Sequence, residues 1–176
     1  MFRVRRNASY DELALLPDGL TGELLGGELF ATPSLGGDHA LTSSSLGADL
    51  GPPFVRGRGG PGGWWITRKP ELHLDADVLV PDYAGWLRSR MGEYPAGVGI
   101  AMRPDWVCEI TAPSILALDR VRKLPIYARK GVPHAWIIDP VAHTLEVLRS
   151  SAATGPWSRR TRVTDRCAPC RSTLSS

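Results

Sequence analysis

The chain has 176 residues, 43% of them hydrophobic and 22% charged, a composition that builds one globular domain with a substantial core and leaves little room for two. No apolar run reaches the length of a membrane span, and Met1-Phe-Arg-Val-Arg-Arg lacks the apolar stretch of a secretory signal, so a cytoplasmic protein without membrane association is expected. The net charge of +3 is unevenly placed: five arginines against one aspartate from Ser150 onward leave the body slightly acidic, so basicity alone argues little for a nucleic-acid surface.

Asn7 or Ser9 is placed to cap a short helix holding Asp11, Glu12, Leu13 and Leu16, which Pro17 ends. The run from Gly22 to Phe30 reads as two strands about a Gly26–Gly27 turn. Glu23 and Glu28 flank that turn, where an acid is ordinarily a solvated neighbour. A loop from Pro33 to His39 follows, then an imperfect helical stripe, Ala40, Leu41, Leu46 and Leu50, with Asp38 as its cap. His39 at this helix start is within reach of a phosphate or water in principle, yet reads more simply as a solvated histidine. Gly51 to Gly63 is rich in glycine and proline; because Trp64, Trp65 and Ile66 follow at once, it is a loop inside the domain.

From Glu71 to Val80 the residues alternate, with Leu72, Leu74, Ala76 and Val78 on one face, which predicts one half-buried strand. Pro81 stops the ladder and Asp82 emerges at its end. Tyr83 to Gly99 reads as irregular, with Trp86 packed and Arg88 and Arg90 exposed. Trp106-Val-Cys-Glu-Ile110 is a second strand in which Glu109 interrupts an apolar run; a carboxylate there is costly to ionise unless a cation meets it. Asp105 reads as a turn residue at the strand start, and Cys108 as a small core residue. Pro113–Ser114 opens a helix that Pro125 kinks or restarts and Gly131 ends. Asp119 and Lys123, at i and i+4, share a face and would in the simplest case be a surface ion pair. Ala135 to Asp139 is a buried strand and Thr144 to Arg149 its antiparallel partner. The pattern predicts an α/β fold with a mixed β-sheet flanked by helices.

Two carboxylates at strand ends with a following lysine suit one chemistry in particular. Hydrolysing a phosphodiester needs a cation against the scissile phosphate and a source of hydroxide near neutral pH. Mg²⁺ on one or two carboxylates supplies both, with Mn²⁺ as a substitute, and a neighbouring lysine stabilises the oxyanion. Asp82, Glu109 and Lys123 are such a set. They are 27 and 14 residues apart, so only a fold that lays the strands together with the helix across them unites them.

The ordered motifs are Pro81–Asp82, Pro104–Asp105 with Glu109, Ala112–Pro113–Ser114, Asp119 with Lys123, Tyr127–Ala128, Gly131–Val132, and Trp136 to Pro140. Together they resemble the Uma-two family of restriction endonucleases within the PD-(D/E)xK nuclease superfamily. The resemblance spans residues 20–149 and implies a restriction-endonuclease-like core. It also implies a metal site at Asp82 and Glu109, a catalytic Lys123 assisted by Asp119, DNA as the substrate, and an acidic contribution from Glu23 or Glu28. The superfamily places its lysine two residues after the second carboxylate, where this chain has Thr111; the resemblance implies that the lysine has moved to the helix.

The expectation is therefore a Mg²⁺-dependent endodeoxyribonuclease, with a homodimer among the assemblies open to it. The competing reading is a nuclease-fold module without turnover that binds DNA or serves assembly in a mobile element. One domain over 1–149 is expected, followed by a basic tail over 150–176, poorly ordered or aberrant. A zinc or redox role for Cys167-Ala-Pro-Cys170 lacks a second ligand pair.

Overall fold

The computed structural model describes residues 2–150 and 157–164. Its architecture is two sheets that meet at one short joint. The first sheet contains β1 (Phe2–Arg6), β2 (Leu20–Leu25), β3 (Glu28–Pro33), β5 (Leu72–Leu74) and β6 (Asp77–Leu79), in the order β1-β3-β2-β6-β5. The second contains β4 (Trp64–Arg68), β7 (Tyr83–Leu87), β8 (Trp106–Ile110), β9 (His134–Asp139), β10 (Thr144–Ser150) and β11 (Trp157–Thr164), in the order β11-β10-β9-β8-β7-β4. The pairs are antiparallel except β8 with β9, whose crossover carries the helical segment. The mixed α/β architecture is the one the sequence pattern predicts. Among the described residues, no helix is long and apolar enough to cross a membrane.

Local signals account for several elements. Ser9 and Glu12 form a reciprocal capping box at the start of α1 (Tyr10–Ala14). Gly26 and Gly27 take φ of 62° and 77°, the mirror-image turn that matches the twist of a two-residue hairpin between β2 and β3. Pro125 lies in the first turn of α4 (Leu124–Arg129), where a missing N–H is tolerated, directly after a π-helical segment, Leu118–Lys123.

Three expectations need correction. The alternating run 71–80 is not one strand: Asp75, at φ 58°, turns it into the β5–β6 hairpin, pairing Leu72 with Leu79 and Leu74 with Asp77. A strand's period of two is the same on both arms of a tight hairpin, so periodicity alone misses the reversal. Tyr83–Leu87 is not irregular but is β7, antiparallel to both β4 and β8. The helix α2 (Asp38–Leu50) begins after Gly37 as its cap, and Asp38 is its first residue. Phe2–Arg6 forms an edge strand against β3. At the other end, residues 157–164, expected in the tail, pair along β10, and the Trp157 indole donates to Leu124 O at 2.9 Å. Residues 151–156 and 165–176, with Cys167 and Cys170, lie outside the described residues.

The second sheet is covered on both faces, which is why all five residues of β8 are buried. Trp106, Cys108 and Ile110 face a cluster with Leu46 and Leu50 of α2, while Val107 faces the main core of Trp86, Leu124, Ile126 and Tyr127. Between the sheets, Val80-Pro81-Asp82 carries the chain from β6 directly into β7.

α2 packs closely against the sheet at Gly47, where an added Cβ would lie 2.7 Å from the Tyr83 hydroxyl. Tyr83 is buried and hydrogen-bonded through that hydroxyl to Ser43 O, so it cannot swing aside. Gly47→Ala gains about 1 kcal/mol in helix propensity, but overpacking costs roughly 1–3 kcal/mol. Net destabilisation is expected, read as a lower urea midpoint; an unchanged or higher midpoint would show that the helix yields.

Candidate active site

The six side chains of the site come from five separate segments. Glu23 stands on β2, His39 in the first turn of α2, Asp82 at the joint between the sheets, Glu109 on β8, and Asp119 and Lys123 on the π-helical segment. All six are buried, the most exposed, Asp82, at 7%. The wider turn of the π-helical segment occurs where two functional candidates share one face, a common setting for such segments.

Lys123 is the hub. Its Nζ lies 2.9 Å from Glu23 Oε1, 2.9 and 3.0 Å from the two oxygens of Glu109, and 3.9 Å from Asp119 Oδ1. It also donates to Val80 O at 3.2 Å. Burial works against the ammonium, but Glu109, Glu23 and Asp119 together hold its pKa well above the usual lysine range. The surface ion pair expected of Asp119 and Lys123 is thus a buried one.

Glu109 is fixed from two sides, by Lys123 and by the Tyr127 hydroxyl, which donates to Oε1 at 2.7 Å. Burial pushes its carboxyl well above the ordinary range; Lys123 opposes this, while Asp119, Asp82 and Glu23 reinforce it. Asp82 has the opposite balance. Burial raises it, but the His39 ring, the Ile110 N–H and Lys123 outweigh that and lower its pKa. The Ile110 N–H donates to Asp82 Oδ2 at 2.8 Å, and His39 Nε2 lies 3.1 and 3.2 Å from the two carboxylate oxygens. The solvated reading of His39 is therefore wrong: the ring is 5% exposed and directed at Asp82.

The two N-terminal acids separate. Glu23 belongs to the cluster and accepts from the Val80 N–H at 2.7 Å. Glu28 lies outside it and pairs with Arg122 at 2.8 Å and Arg6 at 3.5 Å. Asp105 is structural, accepting from the Leu87 N–H at 2.9 Å and pairing with Arg90. Thr111, where a lysine stands in the resembled superfamily, is buried and donates its N–H to Ile138 O at 2.8 Å. Burial pushes the Cys108 thiol well up, which rules it out as a thiolate nucleophile. His39 and Tyr127 are the residues that sequence reasoning missed. The Tyr-Ala motif pointed at Tyr127, whereas His39 carried no periodic signal.

The donor set fits a hard divalent cation. Four carboxylates face one lysine and one histidine, and carboxylate oxygens are the ligands such ions take. Asp119 Oδ2 is buried without a hydrogen-bond partner. Burial first, and the neighbouring carboxylates after it, push Glu109 and Asp119 up, and an added cation would oppose both effects. Among the described residues no three histidine, cysteine or acidic side chains form a ready-made metal cage. The cavity at this site has a volume of about 40 Å³.

A pH dependence follows from Asp119, whose carboxyl burial pushes up to about 7, against Lys123 and with Glu23 and Asp82. Unfolded, it titrates near 3.9. As pH rises from about 4 to 7, the unfolded chain releases a proton that the folded chain keeps, so this group's contribution to stability falls and is lost above 7. In chelator, wild type should lose stability relative to Asp119→Asn across that window, by up to a few kcal/mol. Urea midpoints at pH 4 and 8 measure it; a constant difference would contradict it.

Comparison with known proteins identifies the fold and the family. The crystal structure of a protein from Anabaena variabilis ATCC 29413, described as a "putative nuclease belonging to DUF820", superposes with a TM-score of 0.72 at 19% identity, covering 92% of this chain and 87% of that one. At that identity the likeness establishes the fold, a restriction-endonuclease-like one. None of the curated proteins is a significant match. The model of the Uma2 family, described as "Putative restriction endonuclease", matches residues 8–166. With the match spanning nearly the whole chain, the protein belongs to the Uma2 family.

Proposed function

We propose that this protein is a Mg²⁺-dependent endonuclease that hydrolyses phosphodiester bonds in DNA. The observation that carries the reading is the convergence of Glu23, Asp82, Glu109 and Asp119, from separate segments, on a buried lysine. Mg²⁺ held by Asp82 and Glu109 would neutralise the scissile phosphate and lower the pKa of a water.

The chain's own residues prepare that chemistry. His39 and the Ile110 N–H keep Asp82 ionised and fixed in orientation. Tyr127 and Lys123 hold Glu109, so that neither oxygen is free to rotate away. Lys123, kept protonated by its acidic neighbours, is the point charge available to the pentavalent oxyanion. Asp119, one helical turn before it, and Glu23, across the cavity, are positioning residues for that ammonium. Lys123 thus takes the part that Thr111 cannot, since a threonine carries no charge. Membership of the Uma2 family supports a nuclease, and the hard-oxygen donor set supports Mg²⁺ over softer metals.

Incubation of the purified protein with supercoiled plasmid tests this. Nicking or linearisation is expected with Mg²⁺ or Mn²⁺ and none with chelator or in Glu109→Gln. Lys123→Ala should lower turnover roughly 100-fold or more, with a much smaller loss of DNA affinity, because the charge matters most in the transition state. Its circular dichroism must be checked, since removing one partner of a buried ion pair costs about 3–5 kcal/mol. DNA binding by wild type without cleavage under any metal would instead favour the binding-module reading.

A further inference from the structure

A second lysine borders the same cavity. Lys69, with Thr21 and Val80, lines both the carboxylate site and an adjoining open groove of about 580 Å³ that runs past Arg68 toward Tyr94. The site and the groove are therefore continuous at Lys69. Its backbone is locked to the catalytic joint: the Lys69 N–H donates to Asp82 O at 3.0 Å, directly after β4 pairs Arg68 with Tyr83. Yet Lys69 has φ of 48° and precedes Pro70. A positive φ is rarely adopted by a long side chain, and a following proline restricts the backbone further. Such strain persists where the surroundings impose it, and it gathers at functional sites.

The charge balance makes the position more telling. Four carboxylates line or face the cavity, and Lys123 is already engaged with three of them. Among the described residues, the Lys69 ammonium makes no ion pair or hydrogen bond. Neighbouring Arg68, by contrast, is committed to Ser43 Oγ at 3.0 Å. An anionic strand approaching so acidic a site is repelled unless cations meet the phosphates on either side of the scissile one. Phosphate contacts of this kind fix register without reading sequence.

We infer that Lys69 binds a backbone phosphate next to the scissile one, and that the groove beyond it holds the flanking DNA strand. The inference rests on the nuclease reading above but makes a separate claim about how substrate is held. Lys69 is on this view a positioning residue: its loss should raise KM while leaving kcat within a few-fold, the reverse of Lys123.

The test is anisotropy of a short fluorescein-labelled DNA duplex with Ca²⁺ in place of Mg²⁺, across a KCl series, together with plasmid cleavage kinetics. Lys69→Ala and Lys69→Gly should bind several-fold more weakly and reduce the slope of log affinity against log salt by about 0.9. Lys69→Arg should retain the slope. Lys130→Ala, a change to a lysine already paired with Asp75, should match wild type. Lys69→Gly also guards against a folding artefact, because glycine accepts the positive φ and should melt no lower than wild type. Wild type that binds duplex with the same slope and KM as both Lys69 variants would overturn the Lys69 assignment alone. Wild type that neither binds nor cleaves DNA would overturn the nuclease reading and this inference with it.

Discussion

The site is organised around one buried charge. An ammonium in the interior is tolerated only when acids and carbonyls replace its water, and Lys123 meets this with Glu23, Glu109, Asp119 and Val80 O. Those partners come from β2, β8, the π-helical segment and the joint between the sheets, so the ion cluster fastens elements distant in sequence. Replacing the whole cluster with well-packed apolar side chains need not weaken the fold, since the desolvation of buried pairs consumes much of their attraction. The cluster therefore argues for chemistry more than for stability.

The joint Val80-Pro81-Asp82 links fold and site. Glu23 accepts from the Val80 N–H, Lys123 donates to Val80 O, and the Lys69 N–H donates to Asp82 O. The Ile110 N–H, at the end of β8, is spent on the Asp82 side chain. A residue that would otherwise be a flexible strand terminus is thereby held against Glu109's strand. Proline at position 81 has no N–H to place, which suits a segment leaving one sheet for another. Burial, reinforced by the neighbouring carboxylates and opposed by Lys123, pushes Glu109 and Asp119 upward, while His39, the Ile110 N–H and Lys123 outweigh burial at Asp82 and lower it.

Much of this was legible in the sequence, for definite reasons. Glu109 stood out because a carboxylate inside an apolar strand has few explanations, and Asp82 because Pro81 ends the ladder just before it. The Gly26–Gly27 turn was legible because only glycine takes two successive positive φ values cheaply. What was hidden depends on tertiary placement. His39 sits on a helix with a weak apolar stripe, and its burial comes from α2 docking through Gly47 against Tyr83. Glu23 and Glu28 flank the same turn and lie on the same face of the sheet, Glu23 opposite Phe30 and Glu28 opposite Leu25; they differ only in strand and in distance from the turn, so nothing local distinguishes the cluster member from the partner of Arg122. The β5–β6 reversal was masked because both arms keep the same alternation. Lys69 gave no signal at all, since its interest lies in a backbone angle and in two cavities that meet beside it.

The central claim, that this acidic cluster is a metal site for phosphodiester hydrolysis, is tested most directly by anomalous diffraction from crystals soaked in Mn²⁺. The account predicts a peak bound by both Asp82 and Glu109, absent in Asp82→Asn. A peak elsewhere, or Mn²⁺ density unaffected by loss of Asp82, would contradict it.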